Sequence, residues 1–298
     1  MNNLENLTII IVTFKTNEQI LFNCIDSIKK NIKILIVENS SDHFFKDKIE
    51  KKYENVKVIL SGKNLGYGAG NNLGLKNTKT RYVLISNPDV EYNEDFFDKF
   101  DYYLVEKTEF AIIGASYNDQ SHYASAGYFN KNKINNQFNN KGLKEVDWIV
   151  GCTMILDTKN MRTQNYFDEN FFMFWEETDL CRRTKLNGGK VYCSSLLKIN
   201  HLGHKGSAAT NPEYLIESDI FRNWHLMWSQ FYYIKKDKNY FYAFSSMFGK
   251  LTRSFIKMII FTLFYNKEKQ MRYYGRFSGL FNSMIGKKSW YRINFLSK

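Results

Sequence analysis

The chain has 298 residues, 44% of them hydrophobic and 17% aromatic, and a formal net charge of +12. That apolar content excludes a disordered chain, and the length suits one large domain or one domain with an extension. The charge is uneven: residues 226–298 hold fourteen Lys and Arg against two acids, Asp237 and Glu268, so the first 225 residues are electrically neutral.

In chain order, residues 7–14 (LTIIIVTF) form a continuous apolar run, the pattern of a strand buried on both faces of a parallel sheet. Residues 18–30 place Ile20, Leu21, Cys24, Ile25 and Ile28 at helical spacing. The alternation then repeats: a strand over 32–40, a helix over 43–53, a strand over 56–60, a helix from about 68, and a strand over 81–86. Four strands alternating with helices predict a parallel βαβ sheet, whose ligands bind at the carboxyl ends of the strands. Those ends are Thr13-Phe14, Glu38-Asn39-Ser40, the segment around Asn64 to Asn71, and Asn87-Pro88-Asp89. A helix follows over 94–108, then strands in FAIIGAS, DWIVGCTMILD, KVYCSS and LLKINH, with a helix from Glu176 that stops at Gly188-Gly189. From residue 213 the chain reads as helices. The expected organisation is a catalytic domain over 1–212 and a basic, aromatic-rich helical extension over 213–298.

The four cysteines, Cys24, Cys152, Cys181 and Cys193, form no C-x-x-C pair and no zinc spacing, and read as reduced, buried thiols of a cytosolic protein. The N-terminus carries an acid and only a short apolar run, so a signal peptide is not expected. No stretch reaches 18 uncharged apolar residues, so no transmembrane helix is expected either.

Four segments carry chemistry. Gly66-x-Gly68-x-Gly70 superficially matches a dinucleotide or S-adenosylmethionine fingerprint, but it follows the third strand, and the first βα turn has no glycine. Its ordinary reading is a loop capped by Asn71; its functional reading is a backbone that approaches a nucleotide closely. Asn87-Pro88-Asp89 are turn formers, yet a carboxylate at a strand end in a nucleotide-type sheet suits a divalent metal carrying phosphates. Glu176, Glu177 and Asp179 crowd a helix start, where they either match the helix dipole or supply a general base. His201 and His204 follow a strand in NHLGHKGS; an H-x-x-H pair alone is weak evidence for a metal.

Taken together, IIIVTFKT, LIVENSSD, NLGYGAGNNLGL, YVLISNPDV, VGCTMIL, DENFFMFWEETDLCRR and INHLGHKGS resemble a family 2 glycosyltransferase, most closely the rhamnosyltransferase-like branch that builds bacterial surface polysaccharides. The resemblance covers roughly residues 7–207. It implies an α/β GT-A nucleotide-diphospho-sugar transferase fold, a mostly parallel central sheet flanked by helices, with a C-terminal helical extension. It also implies that Thr13, Phe14, Glu38, Asn39, Asn64, Gly66, Asn71 and Asn87 line the nucleotide site. Asp89, with His201, would bind Mg²⁺ or Mn²⁺ on the diphosphate of a dTDP- or UDP-sugar. Glu177 would be the base, with Glu176 and Asp179 beside it and Glu176 its alternative. Asn87 stands where the family's D-x-D motif has its first aspartate, and Glu38 and Glu177 stand where aspartate is common. The implied reaction is an in-line displacement with inversion, onto a glycan or polyprenyl-linked glycan. A methyltransferase reading Gly66-x-Gly68-x-Gly70 as its cofactor loop is the rival enzyme.

In the extension, Lys250, Arg253 and Lys257 fall on one helical stripe, with Phe248, Leu251, Phe255, Met258 and Ile259 opposite. That pattern suits a helix lying in an anionic membrane interface with its basic residues toward the headgroups. The expected location is therefore cytoplasmic, peripheral on the inner face of the cell membrane. A nucleic-acid binder is the non-enzymatic rival; it leaves the acidic WEETD segment unexplained, and no nucleic acid is expected.

Overall fold

A computed structural model describes residues 3–118, 125–129, 137–161, 165–203 and 215–292. His204 and Pro212 lie outside them. The chain divides into two compact units: Met1–Asp168 with Glu177–Ala208, and Glu169–Glu176 with Ala209–Lys298.

The first unit is built on a nine-stranded sheet. Strands β1 (Leu7–Thr13), β2 (Lys33–Glu38), β3 (Val56–Leu60) and β4 (Tyr82–Ser86) are mutually parallel, in the order β3-β2-β1-β4. Helices α1 (Glu18–Asp26), α2 (His43–Lys52) and α3 (Tyr67–Lys76) make the crossovers. Beyond β4 the sheet is mixed. β10 (Thr153–Asp157) runs antiparallel between β4 and β6 (Ile112–Tyr117), β11 (Val191–His201) is parallel to β6, and β5 (Val90–Tyr92) closes the edge antiparallel to β11. β8 (Leu143–Glu145) also pairs with β11, and a separate two-stranded sheet joins β7 (Ala126–Gly127) to β9 (Trp148–Ile149). Apolar side chains alternate between the faces of β1: Ile9 and Ile11 join one core, with α1, α2 and α4 (Phe96–Val105), and Ile10 joins the other, with Leu180 and Cys181 of α5 (Glu176–Leu186). All three isoleucines are fully buried, each contributing roughly 1.5–3 kcal/mol.

Two strands read from sequence come out differently. The run DWIVGCTMILD is not one strand; Gly151 and Cys152 turn between β9 and β10. KVYCSS and LLKINH are one strand, β11, whose pairing with β6 shifts register between Cys193 and Lys198.

The second unit contains three helices, α6 (Leu215–Asp237), α7 (Tyr240–Leu263) and α8 (Lys267–Met284). α8 packs on α6 through glycine: a Cβ at Gly279 would stand 2.1 Å from the carbonyl oxygen of Trp224. Only a residue without one lets the backbones approach that closely. His225 of α6 is buried between Phe172 and Trp224, with Ser289 Oγ at 3.0 Å from Nδ1 and the Tyr291 carbonyl at 2.9 Å from Nε2. Burial pushes its imidazole down to about 3, so it is neutral. Segment 169–176 packs in this unit as well. Ser229 Oγ donates to the Met173 carbonyl at 2.9 Å, and Trp175 lies against Tyr233 with ring centroids 5.0 Å apart.

Candidate active site

The site residues of the first unit sit where parallel strands end, because the backbone there leaves its ladder and its polar groups need other partners. Thr13 closes β1 and donates its hydroxyl to Glu38 Oε2 at 2.6 Å. Both are buried. Asn39, next in the chain, donates its backbone N–H to the Thr13 carbonyl at 2.8 Å and its Nδ2 to the Gly66 carbonyl at 3.1 Å. Phe14 is half-buried beyond them.

Asn64 Oδ1 accepts the Gly66 amide at 3.0 Å, and Gly66, at φ 89°, takes a backbone conformation that favours glycine. α3 starts at Tyr67, so Gly68, Gly70 and Asn71 belong to its first turns and not to a loop. Gly70 and Gly74 have a packing role. A Cβ at Gly70 would stand 2.9 Å from Val12 Cγ1, and one at Gly74 would stand 2.6 Å from Ile10 Cγ2, so both glycines bring the helix down on β1. Asn71 is fully buried and donates to the Tyr67 carbonyl at 3.0 Å. Asn39 Oδ1 and Asn71 Oδ1 are buried acceptors with no donor among the described residues. The adjacent Asn72 does structural work, exchanging two hydrogen bonds with the Phe167 backbone at 2.9 and 3.0 Å.

Asp89 follows β4 and Pro88, and its backbone carbonyl accepts from Leu202 N at 3.0 Å. The β5–β11 pairing sets Val90 opposite His201, which brings His201 Nε2 to 3.3 Å from Asp89 Oδ1. The imidazole stacks on Tyr117, with ring centroids 5.9 Å apart. His201 Nε2 makes no hydrogen bond among the described residues. A buried carboxylate and an imidazole nitrogen facing each other in this way form a donor pair that a divalent cation fits. Among the described residues there is no group of three or more His, Cys, Asp or Glu able to hold a metal. The remaining ligands of a cation here would be water and phosphate oxygens, as is usual for Mg²⁺.

Glu177, the second residue of α5, is half-buried. Its stem lies against Gly151, whose Cβ, if present, would stand 3.4 Å from Glu177 Cβ. Burial pushes the Glu177 carboxyl up from 4.5 to about 7, opposed by the backbone amides of residues 177 and 178 and by the Thr178 hydroxyl, which donates to Oε1 at 3.3 Å. Glu176 opens the same helix and is buried; it belongs to the second compact unit. Asp179 is turned elsewhere. Its Oδ2 accepts from Arg183 Nε at 2.7 Å, and the same guanidinium donates to the Asn165 and Tyr166 carbonyls. This ion pair and the two backbone bonds fasten α5 to the preceding chain.

Sequence reasoning singled out no role for the turn at Gly151 and Cys152, and it joins three parts of the site. The Cys152 carbonyl accepts from Asn87 N at 2.9 Å, the Gly151 carbonyl accepts from the Tyr67 hydroxyl, and the space where a Cβ of Gly151 would stand is bounded by the Glu177 stem. A glycine between apolar residues gave the only signal. An open cavity of 880 Å³ lined by Asn23, Glu91, Asn93 and Asn200, among others, contains none of the expected site residues.

The profile of the family described as Glycosyl transferase family 2 matches residues 8–160, just over half of the chain. Over 204 residues the chain is 29% identical to the Low-salt glycan biosynthesis hexosyltransferase Agl10 of Haloferax volcanii, an alignment that covers 63% of this chain and spans 65% of that protein. It is 25% identical to Rhamnosyltransferase WbbL of Escherichia coli, covering 68% of this chain and 83% of that one. Among solved structures it superposes on Mannosyltransferase PcManGT from Pyrobaculum calidifontis, in complex with GDP-Man and Mn²⁺, with a TM-score of 0.57 at 9% identity, covering 95% and 88% of the two chains. On residues 1–349 of S. aureus TarS the TM-score is 0.52 at 14% identity, with 96% and 94% covered. Likeness at these identities concerns the fold, which is that of the GT-A nucleotide-diphospho-sugar transferases.

Proposed function

We propose that this chain, which belongs to glycosyl transferase family 2, moves rhamnose or a similar hexose from a dTDP- or UDP-sugar to a glycan or polyprenyl-linked glycan, with inversion. The observation that carries this reading is the assembly at the Gly151–Cys152 turn. It links a carboxyl that titrates near neutrality, Glu177, to the turn that presents Asp89. A base poised near the working pH is what deprotonation of an acceptor hydroxyl requires.

In this reading Asn39, Asn71 and the Thr13–Glu38 pair hold the nucleoside, with the two buried amide oxygens accepting from its donors. Asp89 and His201 hold Mg²⁺ or Mn²⁺, which when bound neutralises charge on the departing diphosphate. Glu177 takes the acceptor proton on its carboxylate, and Glu176 is its alternative. The relative from Mycobacterium tuberculosis named N-acetylglucosaminyl-diphospho-decaprenol L-rhamnosyltransferase, 21% identical over 66% of this chain, supports a lipid-linked acceptor. The reading includes peripheral attachment to the inner face of the cell membrane through the C-terminal extension.

The test is transfer itself. The purified chain is incubated with Mn²⁺, dTDP-rhamnose or UDP-hexoses and a polyprenyl-diphospho-sugar, and the product is read by mass and by NMR of the new anomeric centre. Release of dTDP or UDP with an inverted linkage is expected. A retained configuration, or methyl transfer from S-adenosylmethionine, would overturn the reading.

A further inference from the structure

Helix α7 is inside out. Its inner stripe runs Ala243, Met247, Lys250, Ser254, Lys257, Phe261, at alternating spacings of four and three residues. Ala243, Met247 and Ser254 are buried there. The two lysines turn to the neighbouring helices: Lys250 Nζ donates to Gln230 Oε1 of α6 at 3.0 Å, and Lys257 Nζ donates to the Tyr273 hydroxyl of α8 at 3.0 Å. The stripe expected to meet lipid headgroups therefore turns two of its three cations toward the neighbouring helices, Lys257 half-buried and Lys250 still exposed, as Arg253 is.

The outer face is apolar. Phe241, Phe244, Phe248, Phe255, Ile256, Ile259, Ile260, Leu263 and Phe264 are all exposed, Phe241 at 83% and Phe264 at 76%. They recur at three-, four- and seven-residue spacing along a helix of 24 residues, about 36 Å long. An exposed apolar ridge of that length, interrupted around Gly249, Thr252 and Arg253, is unusual on a chain alone in water. Cations bracket it, with exposed Lys238 before its first turn and exposed Lys267 and Lys269 after its last. The two acids of this region are occupied: Asp237 Oδ2 lies 3.4 Å from Lys238 Nζ, and Glu268 Oε1 lies 3.0 Å from Arg272 Nη2. None of the described helices is long and apolar enough to cross a membrane.

We propose that the outer ridge of α7 is a membrane-docking surface that lies in the plane of an anionic bilayer, with Phe241, Phe248, Phe255, Ile259 and Leu263 in the acyl boundary and the bracketing lysines on anionic headgroups. The charge decides against a second copy of this chain, because two such faces would bring like-charged rims together, whereas an anionic lipid surface meets both the ridge and its rim. This refines the peripheral attachment in the proposed function by naming the face, and it stands on the geometry of α7 alone.

The test is flotation of the full chain with vesicles of phosphatidylglycerol and phosphatidylcholine, and with vesicles of phosphatidylcholine alone. Wild type should float with the anionic vesicles. Phe255→Ser with Ile259→Ser should weaken that binding a hundredfold or more, since each buried apolar side chain carries roughly tenfold or more in partition. Phe255 also packs on Phe277 of α8, with ring centroids 5.3 Å apart, so Leu263→Ser with Phe264→Ser, at 70% and 76% exposure, is the pair that should weaken binding with circular dichroism and melting temperature unchanged. Lys267→Glu with Lys269→Glu should lose the preference for anionic lipid. Asp89→Ala should float like wild type, so a failed catalytic reading leaves this result intact. Wild type that stays at the bottom of the gradient, or a serine variant that floats as wild type does, would overturn the proposal. So would dimerisation through the ridge without lipid binding.

Discussion

Replacing Glu177 with Gln removes a carboxyl whose titration burial moves into the physiological range. In the folded chain it loses its proton near 7 instead of 4.5. At 1.36 kcal/mol per pH unit, that difference is roughly 3 kcal/mol. The sign follows from proton binding. Between 4.5 and 7 the folded state holds a proton that the unfolded state has released, so stability falls as pH rises through this window and levels off above 7. Glutamine matches the neutral carboxyl in shape, and its carbonyl oxygen still accepts from the Thr178 hydroxyl. The variant should therefore melt progressively higher than wild type from pH 5 to pH 8, by several degrees at the upper end. The same substitution should abolish transfer while leaving nucleotide binding intact, and the wild-type rate should rise through an apparent pKa near 7. Parallel thermal melts and rate profiles over pH 5–9 give both readouts. A constant melting difference across that range would refute the near-neutral carboxyl. A variant that keeps full turnover would move the base to Glu176.

Other substitutions test the frame. Gly74→Ala should destabilise by about 1–3 kcal/mol, because its Cβ would stand 2.6 Å from Ile10 Cγ2 in a filled core, and Ile10→Ala, which removes that atom, should cost less in this background than in the wild-type chain in a denaturant titration. Asp179→Asn should cost about 1–3 kcal/mol by weakening the grip of Arg183. Its transfer rate per folded molecule should hold; a lost rate with unchanged stability would return Asp179 to the chemistry. His225 is neutral in the folded state, so stability of the helical unit should be intact above pH 6.5 and drain as pH falls from 6.5 toward 3, by on the order of 5 kcal/mol. Tryptophan fluorescence would follow it, and His225→Phe should remove that acid sensitivity.

The parallel half of the sheet was legible because each strand is a buried apolar run and each crossover helix carries its own period. Residues 56–60 match β3 end to end, and α5 begins at the predicted Glu176. β5 and β8, three residues each, are too short to carry a period, and their existence depends on β11. Asp89 and His201, 112 positions apart in the chain, were singled out by their strand ends; only the β5–β11 register explains their meeting at 3.3 Å. Gly70 read as part of a loop signature because a glycine's reason lies in its neighbour, here Val12. The stripes of α7 were visible, but periodicity does not say which stripe faces inward. That was decided by Gln230 and Tyr273, the partners that Lys250 and Lys257 find on α6 and α8.

The most direct measurement is a calorimetric titration of the wild-type chain and Asp89→Ala with UDP, dTDP and S-adenosylmethionine, each with and without Mn²⁺. The account predicts that wild type binds UDP or dTDP only when the metal is present, and that Asp89→Ala loses this binding while remaining folded. Nucleotide binding that ignores both the metal and Asp89, or binding of S-adenosylmethionine in its place, would contradict it.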